Sequence, residues 1–105
     1  MRAWVSMRRR LDPVILEELE AVLVDRRRHA PADSYTATLL ADRELTQRKI
    51  MEEAFEVCLE LARPDIATDL VAEEAADVIY HLMVGLVGAE VPLADVLAVL
   101  EGRRS

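Results

Sequence analysis

Two stretches of this chain, one from about 44 to 62 and one from about 65 or 69 to 87, set a narrow stripe of acid into an otherwise apolar helical pattern, and that limits what the chain can fold into. Projected at 100° per residue, Glu52, Glu53, Glu56 and Glu60 fall within an arc of roughly 100°. Ile50, Met51, Phe55, Val57, Leu59 and Leu61 are among the apolar residues that fill the rest of that surface. In the second stretch Glu73, Glu74, Asp77 and His81 share an arc of about 100°, flanked by Val71, Val78, Ile79, Leu82, Met83 and Leu86. A helix that is apolar over more than half its circumference must be covered, and 105 residues supply few helices to cover it. The expected fold is therefore an all-α helical bundle completed by homo-oligomerisation, as a homodimer or larger. On this pattern most of the 44–62 helix is expected to be buried.

The remaining elements also read as helical. Asp12 is a plausible N-cap with Pro13 at the first helical position, opening an amphipathic segment that carries Val14, Leu16, Leu19 and Leu23 and ends near Arg28. After the loop HAPADS, Asp33 or Ser34 can cap a short helix containing Tyr35, Leu39 and Leu40. Arg63 and Pro64 interrupt the pattern between the two acid-striped helices, Gly85 and Gly88 weaken the end of the second, and Pro92 opens a last helix. No repeat or linker divides the chain: residues 11–105 form one domain, and the Arg-rich residues 1–10 are expected to be a disordered arm.

A striped acid face is most often a solvated one. Such faces usually mix signs, because Glu and Lys four residues apart stabilise a helix by a few tenths of a kcal/mol. Here no Lys or Arg occurs between Lys49 and Arg63, or between Arg63 and Arg103. Carboxylates crowded without cations repel one another unless a bound ion neutralises them or one takes up a proton. Glu53 with Glu56, and Glu74 with Asp77, each stand three apart on one face and can aim oxygens at a common point. Oxygen-only ligation suits a hard cation, Mg2+ above softer metals.

The net charge of −7 and pI near 4.8 argue against a nucleic-acid partner, which needs a basic footprint. A nucleotide ligand is compatible, since Arg43, Arg48 and Lys49 can meet phosphate locally. No segment approaches membrane length, and the start MRAWVSMRRR lacks the apolar core of a secretory signal. The single cysteine, Cys58, excludes an internal disulfide, fits a reducing cytoplasm, and is expected to be a small buried side chain.

SYTATLL at 34–40, RKIMEEAFEV at 48–57 and EEAADVIYHLMV at 73–84 together resemble the phosphoribosyl-ATP pyrophosphohydrolases of histidine biosynthesis, over residues 11–101. That family belongs to the all-α nucleoside triphosphate pyrophosphohydrolases, a MazG-like superfamily whose shared pattern is ExxE on one helix and ExxD on the next. The resemblance implies hydrolysis of 1-(5-phosphoribosyl)-ATP to the corresponding AMP compound and pyrophosphate by a stand-alone domain. It implies that Glu53, Glu56, Glu74 and Asp77 hold magnesium, and that Glu52 or Glu53 orients or deprotonates the attacking water. It also implies substrate contacts from Ser34, Tyr35, Arg48, Lys49, Tyr80 and His81, and leaves Glu73 and Glu60 as bystanders. Met51 stands where the family often has glycine, and 41–43 lacks the usual glycine-containing turn.

Three alternatives share parts of this pattern. A house-cleaning dNTP pyrophosphatase would keep ExxE and ExxD without needing the serine-tyrosine-threonine or tyrosine-histidine motifs. A di-iron bundle would need Glu-x-x-His pairs, and Val78 occupies the position three before His81. A non-enzymatic helical module would use the acids as a face for a basic partner, without magnesium-dependent hydrolysis.

Overall fold

The computed structural model describes residues 14–29, 31 and 33–104. The expected Asp12 cap, Pro13 and the arm 1–10 lie outside them. Five helices make up the regular structure of the described residues: α1 (Ile15–His29), α2 (Tyr35–Ala41), α3 (Arg43–Leu61), α4 (Thr68–Gly88) and α5 (Leu93–Arg103). The chain is all-α; α3 falls within one residue of its predicted bounds, and α4 starts at Thr68, beside the later of its two expected starts, Asp65 and Asp69. Gly85 and Gly88 do not shorten α4. A Cβ at Gly85 would meet Ile50 Cδ1 at 3.4 Å and Thr46 Cγ2 at 3.7 Å, both side-chain tips of α3 in ordinary van der Waals range.

Local chemistry sets the corners. Ser34 caps α2, its hydroxyl accepting the Ala37 N–H at 3.3 Å. Asp42 ends α2 and starts α3: its N–H donates to the Leu39 carbonyl while its carboxylate accepts the Leu45 N–H at 3.0 Å. The buried Thr46 hydroxyl donates to the carbonyls of Leu39 (2.8 Å) and Asp42 (3.2 Å), so this polar group is satisfied inside the α2–α3 corner.

The far end of α4 is closed by a Schellman turn in which Val91 N–H reaches the Leu86 carbonyl and Glu90 N–H the Val87 carbonyl. Glu90 sits there with φ 59°, a left-handed conformation that favours glycine. Arg27 of α1 donates to the Val87 carbonyl at 2.7 Å and lies 3.5 Å from the Glu90 carboxylate. Glu20 of α1 accepts the Leu93 N–H at 2.8 Å, capping α5, which has no side-chain cap of its own. Because the Glu90 ion pair is exposed and weak, Glu90→Gly is expected to raise stability by about 0.5 kcal/mol, the left-handed penalty slightly exceeding the backbone entropy of glycine. Urea unfolding at equilibrium reads this out.

The core gathers Leu23 of α1, Leu39 of α2, Met83, Val84 and Val87 of α4, and Leu93 of α5. The largest helix–helix contact joins α3 to α4. One expectation fails for the single chain: α3 is mostly uncovered, Thr46 being its one buried residue. Met51, Phe55 and Leu59 are 67%, 63% and 52% exposed. Cys58, expected to be buried, is also exposed. The reason is geometric, since among the described residues no other helix covers that side of α3. No single helix among the described residues is long and apolar enough to cross a membrane.

Candidate metal centre

The α3–α4 contact brings the two acid stripes together across the seam. Glu53, Glu56 and Glu74 each offer a carboxylate oxygen, and these oxygens lie within 4.8 Å of one another. Glu53 and Glu74 are half-buried and Glu56 is exposed. Asp77 lies outside that close trio. It is near enough to act on two of its members by charge.

The electrostatics record the crowding. Burial pushes the Glu53 carboxyl above its ordinary value, and repulsion from Glu56 and Asp77 adds to this. Glu74 is raised from 4.5 to about 7, first by a hydrogen bond with Glu56, then by desolvation and by repulsion from Glu56, Glu53 and Asp77. A proton held by Glu74 thus lowers the negative charge of the cluster. A divalent cation can serve the same purpose with oxygen-only donors at this spacing, so the residues fit a hard metal ion.

This shift has a pH consequence. The folded chain holds the Glu74 proton more tightly than the unfolded chain does, so its stabilising contribution is full below about 4.5 and is lost as the pH rises through about 7. In the presence of a chelator, melting temperature should fall on this account between pH 5 and 8. Added Mg2+ must displace the proton, so it should raise the melting temperature more at pH 8 than at pH 6. Thermal scans with and without Mg2+ at the two pH values measure both effects.

The other expected site residues divide. Lys49 lies 3.7 Å from Glu52, which stands outside the trio. Arg48 is exposed and has no ion pair among the described residues. Glu60 pairs with Arg63 at 2.8 Å, and Glu73 is exposed and not part of the trio. Arg43 lines a cleft of about 300 Å3 with Thr46, Gln47, Ile50 and Gly85, on a different side of α3 from the acids.

Tyr35, Tyr80 and His81 form one cluster at the edge of the carboxylates. The two tyrosine rings stack at 6.4 Å, and His81 meets each edge-on, at 6.0 and 5.1 Å. His81 is buried, with Nε2 2.9 Å from the Tyr35 hydroxyl and Nδ1 2.8 Å from the Asp77 backbone carbonyl. Burial raises the Tyr35 pKa, with Lys49 opposing and Glu53 and Glu52 adding to the rise, so its ring stands within the field of the acid site. Thr36 was quoted in the sequence motif without a role. Its hydroxyl meets that of Tyr80 at 2.5 Å and ties α2 to α4, and its position directly after Ser34-Tyr35 was the only signal.

Fold and site together define an all-α chain with a helix-borne carboxylate cluster of the kind that holds a hard cation. Residues 16–104 match the model of the phosphoribosyl-ATP pyrophosphohydrolase family. A phosphoribosyl-ATP pyrophosphatase of Cereibacter sphaeroides is 47% identical over 90 residues, covering 85% of each chain. One from Halobacterium salinarum is 42% identical over 91 residues, covering 85% of this chain and 96% of that one. A histidine biosynthesis trifunctional protein of Neurospora crassa is 41% identical over 88 residues, 84% of this chain and 10% of that protein. The chain belongs to the phosphoribosyl-ATP pyrophosphohydrolase family, and it is a hydrolase.

Proposed function

We propose that this chain hydrolyses 1-(5-phosphoribosyl)-ATP to 1-(5-phosphoribosyl)-AMP and pyrophosphate, the histidine-biosynthetic step carried in its relatives' names, with Mg2+ held by Glu53, Glu56, Glu74 and Asp77. The observation that carries the reading is the convergence of Glu53, Glu56 and Glu74 within 4.8 Å, in a chain whose relatives share the activity by name over most of its length. When bound, Mg2+ would neutralise triphosphate charge in the transition state.

The chain's own residues orient the water and the phosphates. Glu53 is half-buried and its proton affinity is raised, so it is the better-placed base for the attacking water. Glu52, beside Lys49, instead holds that ammonium at the edge of the site. Lys49 and the exposed Arg48 meet phosphate oxygens. Ser34 keeps its hydroxyl proton free to donate, because as a cap it only accepts from Ala37 N–H. Water adds to one phosphorus of the α,β-anhydride as that bond breaks, its proton passing to the base, and the products are the monophosphate and pyrophosphate.

The exposed apolar stripe of α3 supports a homodimer or larger homo-oligomer. The charge of −7 supports neither a nucleic-acid nor a membrane partner, and the single cysteine supports a cytoplasmic location. The test is to incubate purified protein with phosphoribosyl-ATP and, separately, with a dNTP panel, measuring pyrophosphate with and without Mg2+. Mg2+-dependent release from phosphoribosyl-ATP is expected. Hydrolysis of dNTPs alone would point to a house-cleaning pyrophosphatase, and no hydrolysis of either to an interaction module.

A further inference from the structure

Tyr35 and Tyr80 stand at the edge of the carboxylates with both hydroxyls engaged inside the protein. The Tyr35 hydroxyl is 2.9 Å from His81 Nε2, and the Tyr80 hydroxyl is 2.5 Å from that of Thr36. Whichever atom donates in each pair, both rings are tethered at the far end as well as at the backbone, and Tyr35 opens α2 directly after the Ser34 cap. The rings lie within 19° of parallel, their centroids 6.4 Å apart. Tyr80 is half-buried, whereas Tyr35 is 49% exposed. Glu52, Glu53 and Lys49 all act on Tyr35 through space, so the exposed ring belongs to the same site as the acids. With its hydroxyl already engaged, this fixed side chain offers a ligand mainly π surface.

The base of the proposed substrate suits such a surface. In 1-(5-phosphoribosyl)-ATP the second ribose is carried on N1 of adenine. Alkylation there leaves the amidine strongly basic, so the ring is a cation at neutral pH, unlike the neutral bases of ATP and the dNTPs. An aromatic face attracts a delocalised cation through its quadrupole. A carboxylate in the same place would compete for Mg2+ and add to the crowding of Glu53, Glu56 and Glu74, which a neutral ring does not. We propose that Tyr35, backed by Tyr80, is the specificity-determining residue that recognises the cationic N1-substituted adenine of the substrate by stacking against it. The proposal rests on the nucleotide hydrolysis proposed above and names the feature of the substrate that the site selects.

The test uses the full chain hydrolysing phosphoribosyl-ATP with Mg2+ at pH 7, in the presence of two competitors of the same shape. One is 1-methyl-ATP, whose base is cationic, and the other 1-methyl-ITP, whose base is neutral. 1-Methyl-ATP should inhibit about three- to thirtyfold more strongly, the range expected of one cation–π contact from exposed to desolvated. Tyr35→Phe keeps the ring and should keep this preference. Tyr35→Leu should bring the two competitors within about twofold of each other and raise KM for phosphoribosyl-ATP with kcat little changed, because the base lies away from the breaking bond. Each preference is a ratio taken within one protein, so a loss of folded fraction cancels. Equal inhibition of the unaltered enzyme by the two competitors, or none by 1-methyl-ATP, would overturn the proposal, and this arm needs no variant. A preference that survives in Tyr35→Leu would overturn it too, placing the recognition on the carboxylates instead. A chain inactive on phosphoribosyl-ATP fails the functional proposal as well, whereas an active chain without the preference fails this one alone.

Discussion

Glu74→Gln is expected to lower kcat by about a thousandfold, equivalent to ~4 kcal/mol of transition-state stabilisation, while leaving the metal-free protein at least as stable at pH 8. The two halves of this result come from one geometry. Glu74 shares a space with Glu56 and Glu53, with Asp77 near by, and its carboxyl is raised to about 7 by that company. At pH 8 the native side chain is mostly charged against its neighbours, so a neutral amide removes repulsion from the folded state. The same change removes an oxygen anion that a divalent cation would need. A purely structural carboxylate would lose stability when neutralised, and a solvated bystander would change neither quantity. Paired measurements of kcat with saturating Mg2+ and of melting temperature with chelator decide among the three. Glu73→Gln, on the same helix but outside the trio, should leave kcat within about twofold, the level expected of an exposed surface change.

Phe55→Asp is expected to weaken self-association by a factor on the order of 10²–10⁴. The ring is 63% exposed in the single chain, between Met51 and Leu59 at four-residue spacing on one side of α3. Burying such a side chain contributes about 1.5–3 kcal/mol, and a two-fold interface counts it twice. A charge placed in that interface opposes association further. Sedimentation velocity across a dilution series should show the unaltered chain associated and the variant dissociating to a monomer at micromolar concentration. An unaltered chain that remains monomeric throughout would sink the proposed oligomer.

The sequence was most legible where one helix's own chemistry decides the outcome. The Ser34 cap, the bounds of α3 and α4, and Pro92 opening α5 all follow from residues within a turn of the feature they set. The i, i+3 spacing likewise predicted that Glu53 and Glu56 share a face. It misled at Cys58 and along the outer side of α3, because an apolar arc shows that a surface wants cover but not whether the same chain provides it. Gly85 and Gly88 do not end the helix early, because α4 packs along α3 and tertiary contact outweighs the local cost of glycine.

The same division runs through the site. By itself the sequence determined that the chain is helical, that two acid stripes exist, and which family it resembles, because periodicity and motif order are properties of the chain. Only the tertiary structure decided that Glu53, Glu56 and Glu74 form the close trio with Asp77 outside it, and that Glu52 turns to Lys49. It alone joined Tyr35 to His81 across 46 residues. Hydrogen-bond direction and carboxylate repulsion act over a few ångströms, and no spacing along one helix specifies how far its side chains stand from those of another.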